Sequence, residues 1–361
     1  MRPTSCEISL SDVAHNVSTM AALVAPTPLC AVVKANGYGH GAFEIAHTAL
    51  NAGASWLAVA TAEEGAELRA AGIDAPIVVL SEQHQSSNVD LIDARLTPTV
   101  YTPAGAAALN EAAEGRGVID VHVGLDTGMR RVGVEPDDFQ DFLATVATME
   151  NLRVQAAWTH CPVADEPDND FTEKQLARFD ATVEPSALAD HVGNSAVAIT
   201  RPDRGAFMVR CGITIYGIDP DPALAGQVDI RPALTLKSAV TFVKPIAAGE
   251  AVGYGHRWTA SEPTTIASVP IGYADGVRRD LGLRGGHVLI GGVRHPIVGV
   301  VTMDQIMVDV GSHQVAVGDE VVLIGSQGDD EIRAVDVAAT LDTIPYEVVC
   351  AISERVPRRY V

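Results

Sequence analysis

Eight short apolar runs punctuate the first two-thirds of the chain: 29–33, 56–60, 77–80, 97–101, 119–125, 154–159, 191–193 and 208–211. Their length and β-branched content read as buried strands. Between them, segments such as FEIAHTALNAG, AEEGAELRAAG and DDFQDFLATVATM carry apolar residues at helical spacing and often stop at glycine. Eight strand-and-helix units predict a (β/α)8 barrel, of which the shortest run, 191–193, supplies the seventh strand. Near residue 230 the pattern changes. ALTLKSAVTFV, TTIASVPIGYA, GHVLIGGVRHPIVGVVTMDQIMVDV and DEVVLIG alternate between glycine turns, which is an all-β signature. The expected division is a barrel over residues 1–229 and a β domain over 230–361, joined by the proline-rich, acidic DPDPALAGQVDIRP. Residues 2–9 alternate like a strand and are expected to pair with the β domain. The chain closes on a short helical stretch, PYEVVCAISERV, and shows no internal repeat or low-complexity segment.

A barrel of this kind does its chemistry at the C-terminal ends of its strands. Those positions hold Lys34, Asp126 with Arg131 nearby, His160, Asn194 with Ser195, and Arg210 with Gly212. Lys34 is one of only four lysines, with Lys174, Lys237 and Lys244. It ends an apolar run and is followed at once by NGYGHG. A buried ammonium must be paired, deprotonated or consumed chemically. Lys34 therefore either reaches water along its stem or serves as an amine of lowered pKa that can form a Schiff base with a carbonyl cofactor. Lys174 lies in a polar helical stretch, and Lys237 and Lys244 flank an ordinary strand pattern.

Composition narrows the partners. With 47% hydrophobic and 20% charged residues the chain is globular. A net charge of −21 repels nucleic acid and anionic membranes. Five scattered cysteines without CxxC spacing suit a reducing cytoplasm and argue against a disulfide framework or a zinc site. No signal peptide and no membrane-spanning run is expected.

Each motif also has a plain structural reading. NGYGHG fits neither a P-loop nor a dinucleotide turn; it is either a bare turn or a close backbone approach with Tyr38 within reach of a phosphate. DTG at 126–128 suggests an aspartic protease, which needs two such carboxylates; with one, it is a loop bearing Arg131. His160 is a core histidine or a catalyst. In MVRCGITIYG the guanidinium of Arg210 needs a partner, and Gly212 and Ile213 offer backbone N–H groups to an anion. AVGYGHRW with Tyr254, and VVTMDQIMV with Met303 and Asp304, each read alone as a hairpin with a packed side chain.

Taken together, AVVKANGYGHG, DTGMRRVG, WTH, GNSA, MVRCGITIYG, GYGHRW, PIGYADG, VTMDQ and TIPYEVVCAISERVPRRY resemble the alanine racemases nearly end to end. These are pyridoxal 5'-phosphate (PLP) enzymes built as a barrel plus a β domain. The resemblance implies that Lys34 holds the cofactor and serves as base on the D-alanine face, while Tyr254 of a partner subunit serves the L-alanine face. Two bases on opposite sides suit inversion at one carbon. A tyrosine acts as a base only if its reference pKa of about 10 is lowered, which gives His160 and Arg210 a role beside it. Arg210, bonded to the pyridine nitrogen, would leave that atom unprotonated and the ring a poorer electron sink. Arg131 would hold the substrate carboxylate and the cofactor's phenolic oxygen, with Met303 lining the pocket. Tyr38, Ser195, Gly212, Ile213 and Tyr346 would bind the phosphate. Tyr273 and Asp304 would stand at the entrance or just behind it.

Two departures from the family pattern stand out. Gly124 occupies a position where many members carry a carbamylated lysine that orients the arginine, so Arg131 is expected to be held by an anion or water. Arg130 stands where glycine is usual and is expected to add charge beside the site. The implied protein is a cytoplasmic homodimer making D-alanine for peptidoglycan. Its rivals are a racemase of the same fold acting on serine or a wider set of amino acids, and a non-catalytic PLP-binding regulatory protein.

Overall fold

The computed structural model describes residues 2–204 and 206–361. Two compact units divide the chain: one comprises Asp12–Gly37 and Gly41–Arg231, the other the residues up to Ser11, Tyr38–His40 and Pro232–Val361.

In chain order the strands begin with β1 (Ser5–Ile8), which belongs to the second unit, followed by the barrel strands β2 (Leu29–Val32), β3 (Ala54–Val59), β4 (Ile77–Val79), β5 (Thr97–Val100), β6 (Ile119–Gly124), β7 (Leu152–Trp158), β8 (Ala189–His191) and β9 (Val209–Cys211). The barrel strands are all parallel and run in the order β8-β7-β6-β5-β4-β3-β2-β9. Backbone bonds from Phe207 N to Asp190 O (2.7 Å) and from Arg210 N to Gly193 O (2.9 Å) join the two ends and close the barrel. The seventh barrel strand, β8, starts two residues earlier than the apolar run suggests. Asp190 is polar yet lies within the strand, and Gly193 is already in the turn whose carbonyl makes the closing bond.

The helices between strands start where their caps direct. Thr61 and Glu64 form a reciprocal capping box ahead of Ala62–Ala70, and Thr102 caps Pro103–Ala112 with proline at the first position. Helix Phe139–Val146 buries Phe139, Phe142 and Val146 in a cluster that includes Val121 and Val123 of β6. Each such side chain contributes about 1.5–3 kcal/mol on burial.

The second unit contains β10 (Leu234–Ala239), β11 (Phe242–Ile246), β12 (Ala251–Val252), β13 (Trp258–Thr259), β14 (Thr264–Val269), β15 (His287–Ile290), β16 (Val293–Pro296), β17 (Ile306–Asp309), β18 (Glu320–Gln327), β19 (Asp330–Ile332) and β20 (Arg358–Tyr360). One sheet runs β16-β15-β18-β10-β1-β20, with β19 on β18; β11-β14-β17 form a second, and β12-β13 a hairpin. β1 pairs antiparallel with β10 and parallel with β20. Along β10 burial alternates, with Leu234, Leu236 and Ser238 inward, as its period-two pattern requires. The region is not wholly β. Helix Ala334–Leu341 follows β19, because alanines favour helix and the Asp336 carboxylate accepts from Arg333 N (2.8 Å).

Candidate active site

Lys34 stands two residues beyond β2, half-buried. The chain then enters the left-handed region: Ala35, Asn36, Gly37 and Tyr38 have φ of 52°, 52°, 60° and 52°. A left-handed turn costs about 1–2 kcal/mol for each L-residue in it, so something must hold it. Gly37 N donates to Val33 O (2.9 Å), and Asn36 accepts from Gly41 N and from Ala42 N, the latter through its side chain (2.9 Å each). Glu64 accepts from Ala35 N (2.6 Å) through one oxygen and from Ala60 N (2.8 Å) through the other, tying the turn to the end of β3. The glycines and asparagine after Lys34 are thus the residues a tight left-handed exit needs.

Arg210, on β9, is buried without a carboxylate partner among the described residues. Its Nη1 donates to Nδ1 of His191 (2.7 Å) and to the same residue's carbonyl, its Nη2 donates to Thr159 O (2.8 Å), and the guanidinium lies 5.0 Å from the ring centre of Trp158. Burial brings its pKa down to about 10, so it stays charged at neutral pH. His191 Nε2 lies 2.9 Å from His122 Nδ1, and His122 Nε2 lies 2.9 Å from Gln155 Oε1. A file of polar groups therefore crosses the barrel from Arg210 to Gln155. His160, two residues past β7, is held neutral: burial first, then the charges of Arg210, Arg131 and Lys34, push its pKa down to about 3. Lys34 and His160 follow the C-terminal ends of β2 and β7, Arg131 lines a cleft with His160, and Arg210 lies on β9, so all four groups stand toward the same mouth of the barrel.

Ser195 opens the helix Ser195–Thr200, capped by the Asn194 side chain. Its oxygen accepts from Gly212 N (2.9 Å) and from Thr214 Oγ1 (3.2 Å), which leaves its own proton to donate elsewhere. Gly212 and Ile213 follow β9 directly.

The loop after β6 is organised by Asp126, which accepts from Gly128 N (2.9 Å) and Arg130 N (3.1 Å); it is a turn-forming carboxylate. Gly124, Arg131, Trp158 and His160 line one small cleft. Arg131 makes no hydrogen bond or ion pair to a described residue. The atoms nearest to a Cβ built at Gly124 are side-chain carbons of Tyr101, Thr99 and Trp158, at 3.4, 3.5 and 3.7 Å. The charge expected from Arg130 is spent on the surface instead: both Glu135 oxygens accept from its Nη1, at 2.6 and 2.8 Å.

The remaining candidates lie in the second unit, in three places. Tyr38 and Tyr346 are neighbours, with ring centres 6.0 Å apart; burial, then Tyr346 and Cys350, push the Tyr38 phenol up. Tyr273 and Met303 sit on two turns locked together by Tyr273 N to Thr302 O (2.9 Å) and Ala274 N to Met303 O (3.1 Å). Asp304, beside them, accepts from Arg355 Nη2 (2.7 Å). Tyr254 begins the turn between β12 and β13. Tyr254, Tyr273 and Met303 are 73%, 43% and 52% exposed in the single chain, unusual for such apolar side chains.

The sequence reading missed the polar file. His122 and His191 stand among apolar strand neighbours in VHVGL and ADHVG, and a polar residue on an inward strand position is the signal that would have exposed them.

The donor set fits PLP. Arg210 is a permanent donor that lacks an anion and suits a neutral ring nitrogen; the Ser195 hydroxyl, with both acceptor positions used, suits a phosphate oxygen; Lys34 brings an amine to the same barrel mouth. The comparisons agree. Models of the alanine racemase N-terminal and C-terminal domains match residues 8–220 and 233–360. The alanine racemase of Symbiobacterium thermophilum is 43% identical, over 100% of this chain and 97% of its own length. Among solved structures, the alanine racemase of E. faecalis has a TM-score of 0.95 at 39% identity, covering 100% of this chain and 98% of that one. The Bacillus anthracis alanine racemase with bound L-Ala-P has 0.94 at 33%, covering 100% and 95%. The chain belongs to the alanine racemase family.

Proposed function

We propose that this chain interconverts L- and D-alanine by a two-base mechanism, with Lys34 on the D-alanine face and Tyr254 of a partner subunit on the L-alanine face. The observation that carries it is the C-terminal mouth of the barrel, where Lys34 follows β2, His160 follows β7 and the buried, carboxylate-free Arg210 lies on β9.

Held by these residues, PLP would supply an electron sink for the charge left on the substrate α-carbon. Arg210 would donate to the ring nitrogen and keep its own proton, leaving that nitrogen unprotonated. Lys34 removes or returns the α-proton on one face. Tyr254 does the same on the other, its phenolic oxygen assisted by His160, whose neutral ring can accept a hydrogen bond. Arg131 holds the substrate carboxylate, with Met303 beside it and Tyr273 and Asp304 at the entrance. Ser195, Gly212, Ile213, Tyr38 and Tyr346 hold the phosphate.

The exposure of Tyr254, Tyr273 and Met303 supports a homodimer in which each subunit completes its partner's site. No helix of the described residues is long and apolar enough to cross a membrane, which is compatible with a cytoplasmic enzyme supplying D-alanine for peptidoglycan. The test is racemisation of each L-amino acid in turn, with the visible spectrum recorded before and after borohydride. Alanine should be turned over fastest, with serine and larger substrates behind. Borohydride should fix the cofactor to the chain. A cofactor bound without turnover of any amino acid would contradict the proposal.

A further inference from the structure

Arg358 makes a contact set that no catalytic step requires. Its Nε donates to Gly39 O (2.9 Å), its Nη1 to Ser353 O (2.6 Å) and Val356 O (2.9 Å), and its Nη2 to Ile352 O (2.6 Å). All four acceptors are main-chain carbonyls. One follows Tyr38; the others belong to the turn that ends the helix Pro345–Cys350, which carries Tyr346. Arg358 is itself anchored, since β20 pairs with β1 and sets Arg358 opposite the buried Cys6.

The join has no slack. Gly39 has φ +81°, and a Cβ there would lie 2.4 Å from Val349 O, so its backbone lies flat on the last turn of the helix. One guanidinium and one glycine thus fix the segment bearing Tyr38 to the helix bearing Tyr346 and set the 6.0 Å between their rings. Two phenols can donate to one anion together only if their separation is held.

We propose that Arg358 is a positioning residue for phosphate: it touches neither cofactor nor substrate, but holds Tyr38 and Tyr346 at the spacing that lets both bind the same phosphate group. This rests on the reading of those tyrosines as phosphate ligands. Lysine cannot replace the arginine, because an ammonium is a point donor without the planar fork that reaches four carbonyls.

The test compares pyridoxal phosphate with pyridoxal, which lacks the phosphate, by titrating cofactor-stripped full-length protein and following tryptophan fluorescence. The wild-type protein should bind the phosphorylated form more tightly. In Arg358→Lys and Arg358→Gln its affinity should fall roughly 10- to 100-fold, the loss of a charge-assisted hydrogen bond, while pyridoxal affinity stays within roughly twofold. Added guanidinium ion should restore part of the loss in Arg358→Gln. Equal loss for both ligands, or no loss for either, would overturn the proposal. If the wild-type protein does not distinguish the ligands, the reading of the tyrosines fails instead. A measurement on the unaltered chain covers the case in which the variants do not fold: amide exchange at 37–41 and 350–358 should slow more with pyridoxal phosphate than with pyridoxal. Equal protection there would also overturn it.

Discussion

Nη1 of Arg210 lies 2.7 Å from Nδ1 of His191, and this one contact fixes the protons of two histidines. A guanidinium only donates, so His191 Nδ1 must accept and its Nε2 must carry the hydrogen. That hydrogen goes to His122 Nδ1, and the hydrogen on His122 Nε2 goes to Gln155 Oε1. Both rings are therefore neutral, and the file runs one way across the barrel. A proton added anywhere along it breaks a bond in a place water does not reach.

Stability should accordingly fall as pH falls below about 6.5. Burial lowers the pKa of His122 to about 4 and holds that of His191 well below the ordinary imidazole value, while an unfolded imidazole titrates near 6.5. Between those values the unfolded chain binds more protons than the folded one, so stability is fully present above pH 6.5 and is lost on the way down to about 4. Urea midpoints from pH 7.5 to 4.5 measure this directly. His122→Gln, which keeps a polar neighbour but no titrating ring, should make the slope shallower, with His191 and His160 supplying the dependence that remains; an unchanged slope would contradict the assignment.

Lys34→Ala should remove the covalent link to the cofactor and nearly all turnover. Purified variant protein should lack the visible band and retain no cofactor after borohydride and denaturation. An unchanged spectrum would assign the link to another lysine, and the alternatives are few: Lys174 is exposed and pairs with Asp170, Lys237 pairs with Glu7 and Glu320, and Lys244 is exposed on β11.

Specific activity should decline on dilution below the dimer dissociation constant. The exposed Tyr254, Tyr273 and Met303 motivate this, and light scattering beside the assay locates the transition. Full specific activity in a verified monomer would remove the partner subunit from the mechanism.

The barrel was legible because its strands read as short, mostly apolar runs and the segments between them carry apolar residues at helical spacing and often stop at glycine. Lys34, Arg210 and His160 were legible because charged or polar residues follow such runs. What was not legible depends on pairing distant in sequence. The file through His122 and His191 exists only once β6 and β8 flank β7, and Arg358 reads as one more basic residue in VPRRY until it meets Gly39 O. The turn after Lys34 was recognisable as glycine-rich, but its left-handed sense over Ala35 and Asn36 is imposed by Glu64, on a different element. The role of Arg130 was also hidden, since Glu135 lies five residues on and the loop brings it back.

The two-base assignment is tested most directly by hydrogen exchange at the α-carbon in Tyr254→Phe, measured in deuterated water. The variant lacks the phenolic oxygen but keeps Lys34. D-alanine should exchange its α-hydrogen and keep its configuration. L-alanine, whose α-hydrogen faces the side without a base, should exchange slower by roughly 10²- to 10⁴-fold, the usual contribution of such a group. Equal, slow exchange of both enantiomers would make Tyr254 structural only, and exchange of L-alanine alone would reverse the two faces.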